Sequence, residues 1–320
     1  MKLASLKHGR DGKLIVVNTE LTHYVDASSV CSTMQQAIDS WDSTSPKLNE
    51  LSQKLNSGEL QGTPLKAEDC DAPLPRSYGW LDGSAYVKHV ELVRKARGAE
   101  LPESFWTDPL MYQGHSSFVP AHANISARPE ADGLDFEAEV AVIVDEVPEG
   151  TSKEDALSHV KLITLINDIS LRGLTGPELA KGFGFVNSKP PCTMSLVAIT
   201  PDVLGKHWKN GTVSLPLTTT LNNSVFGNPM VNEDMTFNFA DLIAHAARTR
   251  PLEAGTVIGS GTVANIGKNV GSSCIAEKRM LEVIESGSAK TPWLKPGDHI
   301  HIDMTKGGKS FFGAISQKIV

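Results

Sequence analysis

The chain has 320 residues, 40% of them hydrophobic, and a net charge of −7, enough for a sizeable core and about two domains. The acidic balance, with no dense basic run, argues against a nucleic-acid partner, and four scattered cysteines (Cys31, Cys70, Cys192 and Cys274) with no CxxC pair argue against a zinc knuckle or disulfide framework. The first residues lack an apolar stretch of signal-peptide length and no segment reaches membrane-span length, so a cytoplasmic protein with no membrane partner is expected.

In chain order, Lys2 to Lys7 and Lys13 to Asn18 read as short strands joined by the turn Gly9-Arg10-Asp11-Gly12. Helical spacing follows over Thr33 to Trp41 and Lys47 to Leu55, each with Ser or Thr in a capping position. The polar, proline-containing stretch Gln61 to Pro75 reads as the connection between a small first domain, residues 1–73, and a main domain, residues 74–320. Later helices are expected over Asp82 to Ala96, Lys153 to Val160 and Phe239 to Arg248. Strands are expected over Phe136 to Val144, Leu162 to Ile166, Ser195 to Ile199, Val213 to Leu221, Thr256 to Ile258, Arg279 to Ile284 and His299 to Met304. This is not the strict strand–helix alternation of a doubly wound sheet.

Glu137 and Glu139 carry the strongest chemical signal. Two residues apart on a strand, they share a face with Ala141 and Ile143. Either the strand is buried on both faces, and a cation or hydrogen bonds compensate the carboxylates, or it is half-exposed and the glutamates are wet. Asp168, directly after the apolar run Leu162 to Ile166, and Asp108, in Trp106-Thr107-Asp108-Pro109, offer two further carboxylates. Four oxygen donors without a Cys–His pattern favour a hard ion, Mg²⁺ first and Mn²⁺ or Ca²⁺ as alternatives, over zinc. Asp168 by itself reads first as a residue that caps a turn.

His115 lies in a Gly- and Ser-flanked loop, which suits either a base working near neutral pH or a plain surface histidine. Gly259-Ser260-Gly261-Thr262-Val263-Ala264 matches a dinucleotide fingerprint, but Asn265-Ile266-Gly267 follows where a phosphate-binding helix should begin. A glycine turn that brings backbone close to a small ligand is the better reading. Arg172 and Lys189 could hold an anionic substrate or pair with surface acids.

In this order the pieces resemble the fumarylacetoacetate hydrolase family over residues 74–320. Asp108, followed seven residues later by His115, resembles the family's metal-binding aspartate and general base, and Glu137-Ala138-Glu139 its E-x-E metal pair. Asn167-Asp168-Ile169-Ser170-Leu171-Arg172 resembles its N-D-x-[ST]-x-R segment, although Gly173-Leu174-Thr175 then replaces the family's Asp-x-Gln. Lys189 and Thr193 resemble the lysine and threonine beside the metal, and Gly259-Ser260-Gly261-Thr262 the turn whose threonine faces substrate. Glu277 is similar to the glutamate that orients the histidine.

The resemblance implies a β-rich α+β fold, a mixed β-sandwich roll preceded by a small α/β domain, and a homodimer. It implies a divalent metal on Asp108, Glu137, Glu139, Asp168 and Thr193. His115, Glu277 and Lys189 would be catalytic, and Arg172, Tyr112, Thr262 and Gly261 would contact substrate. The implied reaction is hydrolysis of a C–C bond in a β-diketo acid such as an acylpyruvate. Oxaloacetate decarboxylation and keto–enol tautomerisation or hydration of a 2-oxo acid are the enzymatic alternatives, and a metal-dependent binder is the non-enzymatic one.

Overall fold

The computed structural model of the protein describes residues 1–88, 90–91, 100–267 and 269–320. An eleven-stranded mixed sheet organises it: β1 (Lys2–Leu6), β2 (Lys13–Val17), β3 (His23–Asp26), β4 (Thr63–Pro64), β5 (Gly79–Gly83), β6 (Met111–Gln113), β7 (Ala138–Val144), β8 (Val160–Asn167), β9 (Thr193–Met194), β10 (Ala198–Ile199) and β11 (Thr256–Gly259). The order is β4-β3-β2-β1-β10-β8-β7-β11-β5-β6, with β9 also on β8. The first four strands join the central ones where β1 meets β10, with Lys2 opposite Ile199 and Leu3 opposite Ala198. A second sheet of four strands runs Ser224–Gly227, Thr218–Leu221, His299–Asp303, Ile315–Lys318.

Strand β7 is buried along its whole length, so the half-exposed alternative for the Glu137–Glu139 segment falls. Its two faces serve different cores. Ala138, Val140, Val142 and Val144 pack into the larger apolar cluster, with Phe239, Leu242 and Ile243 of helix α4 (Phe239–Ala246) among its members. Ala141 and Ile143 face a second cluster with Trp80, Leu162, Ile166 and Val257, closed by Leu3, Leu14, Val16, Met34, Ile38 and Leu48 of the N-terminal segment. Helices α1 (Met34–Asp39) and α2 (Trp41–Ser57) supply Met34, Ile38 and Leu48. On this second face, period two carries each strand from an apolar residue to a polar one: Trp80 to Asp82, Ala141 to Glu139, Ile166 to Asp168.

Several elements depart from the sequence reading. Arg279 to Ile284, expected as a strand, lies inside helix α5 (Ile275–Ser286). Cys274 caps its start, the Asp135 carboxylate accepts from the Ile275 and Ala276 amides at 2.7 and 3.0 Å, and Gly287 ends it in the left-handed region. Asp82, expected to open a helix, sits instead in β5, paired parallel with β11; residues 89 and 92–99 of that expected helix lie outside the described residues. Helix α2 begins at Trp41, with Pro46 inside it. Its first turn is secured by the Ser43 and Thr44 amides on Ser40 O, both at 3.0 Å, and by the Thr44 hydroxyl on Ala37 O. After Gly259-Ser260-Gly261 no helix follows before residue 268. Among the described residues no helix is long and apolar enough to cross a membrane.

Candidate functional site

Strands β5, β7, β8 and β11 bring a buried acidic group together. Ligand oxygens of Asp82, Glu139 and Asp168 lie within 4.8 Å of one another, and Glu139 and Asp168 are fully buried. Asp82 and Glu139 approach across β11: Gly259 is opposite Asp82 on one side and Ala141 on the other. A Cβ on Gly259 would stand 2.3 Å from Asp82 Oδ1 and 2.4 Å from the Trp80 ring, so the missing side chain is what leaves room for the carboxylate. Gly261 closes the turn at φ +73°, its amide donating to Asp82 Oδ1 at 3.0 Å. A Cβ there would meet Gly83 O at 2.1 Å. The glycine turn therefore does bring backbone close to an acidic group, but the group is the protein's own Asp82.

Electrostatics separate the carboxylates into two kinds. Glu137 is compensated: Lys189 Nζ lies 2.6 Å from Oε1, Arg172 Nη2 3.1 Å from the same atom, Ser170 donates at 2.5 Å and the Thr262 hydroxyl donates to Oε2. Burial pushes its pKa up, but the charges of Arg172 and Lys189 outweigh that and hold it well below the usual range. Asp168 receives the Lys189 ammonium at 2.5 Å and the Tyr112 hydroxyl at 2.7 Å on Oδ2, with the Cys192 thiol donating to Oδ1 at 3.0 Å. Burial lowers the Lys189 pKa less than Asp168 and Glu137 raise it, so the ammonium stays charged.

Glu139 has no such help. Neither of its oxygens accepts a hydrogen bond from a donor among the described residues. Burial, then the charges of Asp82 and Asp168, push its pKa far up; burial and Asp168 lift Asp82 from 3.8 to about 8. Two unit charges about 4 Å apart repel by about 4 kcal/mol at an effective dielectric of about 20. Lys189 offsets Asp168, but the Asp82–Glu139 contact alone is a large fraction of the net stability of a domain, about 5–15 kcal/mol. The group must hold either a proton between Asp82 and Glu139 or a cation. All-oxygen donors, buried and preformed on strands, fit a hard divalent ion.

The expected site residues are thus partly regrouped. Asp168, Glu137, Lys189, Tyr112 and Thr262 form one hydrogen-bonded network, and Glu139 stands beside it within 4.8 Å of Asp168. Thr193 is opposite Asn167, next to Asp168, its buried hydroxyl without a hydrogen-bond partner in the described residues. Arg172, expected to bind a substrate carboxylate, spends its guanidinium on Asp135 at 2.9 Å and Glu137 at 3.1 Å. Glu277 is buried in the first turn of α5, beside Cys274, which bridges to Glu137. Asp108 does not join the acidic group: its side chain is 60% exposed, 3.4 Å from His245 and 3.7 Å from Arg248. His115 is exposed, with Nδ1 accepting from the Ser117 amide at 3.1 Å. Asp82 takes the place expected for Asp108. The signal for it lay in the sequence, because Asp82 is followed seven residues later by His89, the same spacing as Asp108 and His115. His89 lies outside the described residues.

With fold and site in view, the chain belongs to the fumarylacetoacetate hydrolase family: residues 79–320 match its description "Fumarylacetoacetate (FAA) hydrolase C-terminal" and residues 1–76 match "Fumarylacetoacetase N-terminal domain 2". It is 29% identical over 188 residues to oxaloacetate tautomerase YisK of Bacillus subtilis, a match that spans 58% of each chain. Its fold is similar to that of a putative HpcE protein from Mycobacterium smegmatis, with a TM-score of 0.68 at 18% identity over 100% of this chain and 99% of that one. It is also similar to maleylpyruvate hydrolase from Sphingobium sp. SYK-6, at TM-score 0.65 and 16% identity, again over 100% and 99% of the two chains, in a structure that holds a manganese(II) ion and pyruvate.

Proposed function

We propose that the protein is a metal-dependent hydrolase that cleaves a C–C bond in a β-diketo acid, with Asp82, Glu139 and Asp168 as the metal-holding carboxylates and Glu137 beside them. The observation that carries this reading is the uncompensated, buried Glu139 within an acidic group of three. The manganese and pyruvate recorded with the Sphingobium hydrolase support a divalent ion and a small 2-oxo acid here. When bound, such an ion supplies Lewis-acid polarisation of a substrate oxygen.

The chain's own groups do the rest. Lys189, kept charged by Asp168 and Glu137, presents ammonium protons where an oxyanion develops. Tyr112, whose hydroxyl is on Asp168, and Thr262, on Glu137, can turn those hydroxyls toward substrate oxygens. Arg172 and Ser170 hold Glu137 in place. A base must take a proton from the attacking water, and the Asp82-to-His89 spacing assigns that role to His89 in place of His115.

Keto–enol tautomerisation of a 2-oxo acid is the second reading, favoured by the likeness to the Bacillus tautomerase. It needs proton transfer at carbon but no water as reactant. Incubation with acetylpyruvate and with oxaloacetate, with Mn²⁺ or EDTA, and product analysis by NMR separates the two. Acyl-chain carboxylic acid and pyruvate from the first substrate support hydrolysis. Faster enol–keto exchange in oxaloacetate without cleavage of either compound supports tautomerisation and sinks hydrolysis.

A further inference from the structure

Lys189 reaches the acidic group from the end of a poorly anchored segment. Helix α3 (Arg172–Leu179) is followed by residues 180–187, of which Phe183 and Val186 are 87% and 82% exposed. Yet this segment delivers two groups to the site. Phe185 packs edge-on against Tyr112, ring centres 5.0 Å apart, and Lys189 Nζ stands 5.3 Å from the same ring on its way to Glu137 and Asp168. Pro190 and Pro191 come next, and neither has an amide hydrogen. Past them Thr193 and Met194 pair with β8, so the chain is fixed after Lys189, and the exposed segment before it needs an anchor of its own.

It is Glu178, in the last turn of α3. Its Oε1 accepts from the Asn187 amide at 2.7 Å, and its Oε2 accepts from the Ser188 amide at 3.2 Å and the Ser188 hydroxyl at 2.5 Å. Ser188 is fully buried, and its carbonyl accepts from Leu171 N at 2.8 Å. A carboxylate near a helix C-terminus faces the negative end of the helix dipole, so helix stability alone disfavours it there. Three donors from the segment it faces offset that cost. We infer that Glu178 is a positioning residue, clamping Asn187 and Ser188 so that Lys189 and Phe185 stand correctly in the acidic site. Its consequence for turnover rests on the proposed function; its consequence for Lys189 does not.

The test uses Glu178→Ala and Glu178→Gln. Brief acetylation of the folded protein with acetic anhydride, quantified by mass spectrometry, reads the accessibility of Lys189 against Lys47, an exposed lysine of helix α2. Lys189 labelling is expected to rise about tenfold or more in Glu178→Ala and by less in Glu178→Gln, which keeps one acceptor oxygen; rates within about twofold of the parent in both would overturn the inference. If Glu178→Ala unfolds, the buried Lys2 will label as well, and Glu178→Gln alone decides. In the unaltered protein the Asn187 and Ser188 amides are expected to be protected from deuterium exchange, and their free exchange would also overturn it. With an active substrate, kcat should fall about ten- to a hundredfold with little change in KM. Adding Glu178→Ala to Lys189→Ala should then cost little more, whereas a full additive loss would assign Glu178 a merely structural role and overturn the inference. Increased labelling in a protein that turns over no oxo acid would leave the clamp standing and remove the proposed reaction.

Discussion

Asp82 and Glu139 approach each other diagonally across β11, which presents the side-chain-free Gly259 opposite Asp82 on one side and Ala141, two residues from Glu139, on the other. Gly259→Ala would put a methyl against Asp82 Oδ1 and the Trp80 ring. Overpacking of this kind costs about 1–3 kcal/mol. A lower melting temperature and a loss of Mn²⁺ binding by titration calorimetry are expected together; a variant that binds Mn²⁺ like the parent would mean that Asp82 is not a ligand.

Metal affinity should follow the regrouped carboxylates. Asp82→Asn and Glu139→Gln are expected to weaken Mg²⁺ or Mn²⁺ binding by about tenfold or more, since each removes an anionic oxygen donor. Asp108→Asn, on the surface beside His245 and Arg248, should bind as the parent does. The reverse pattern in calorimetric titrations would restore Asp108 as the ligand.

The two histidines are distinguished in the same way. His89→Ala should lose turnover by about 10²–10⁴-fold, the usual contribution of a positioned base. His115→Ala should retain it, because that ring is exposed and engaged with Ser117. Steady-state rates on whichever β-diketo acid is cleaved decide the matter.

Stability without divalent ions should fall as pH rises. Burial and Asp168 raise Asp82 from 3.8 to about 8, and burial and Asp82 raise Glu139. A carboxyl with a raised folded pKa binds its proton more tightly folded than unfolded. Its contribution is complete below the unfolded value and is lost as pH climbs through the folded one. Glu137 is shifted the other way by Arg172 and Lys189, so its contribution is lost only as the solution becomes strongly acidic, outside this window. Urea denaturation in EDTA between about pH 5 and about pH 8 should show declining stability, and saturating Mn²⁺ should abolish the decline. A flat profile in EDTA would mean that these groups are not held together in solution.

Much of this was legible from local pattern. The buried β7 strand, its paired glutamates and the carboxylate at the end of β8 follow from period-two alternation and from runs of Val and Ile. Asp82 was not, because Asp82-Gly83-Ser84-Ala85 followed by Tyr86 and Val87 reads as a helix start, and it is pairing with β11 on one side and β6 on the other that makes Gly79–Gly83 a strand. Non-local pairing of that kind leaves no local trace. The same holds in part for α5: the short apolar run Arg279 to Ile284 was expected as a strand, whereas Arg279 and Glu282 have helical spacing and the helix is secured from a distance by the Asp135 carboxylate on its first amides. The duplicate Asp-x₆-His spacing was visible, but spacing alone could not rank its two occurrences.

The second apolar cluster has a practical consequence. Ile143, Leu162, Ile166 and Val257 are covered by Met34, Ile38 and Leu48 from the opening segment, and β1 occupies the flank of β10. A fragment starting near residue 79 would carry that greasy surface and an unzipped sheet margin into water, an invitation to clump. Expression trials of residues 79–320 alone should therefore yield precipitate, and co-production of the missing piece as a separate polypeptide is the remedy to try first.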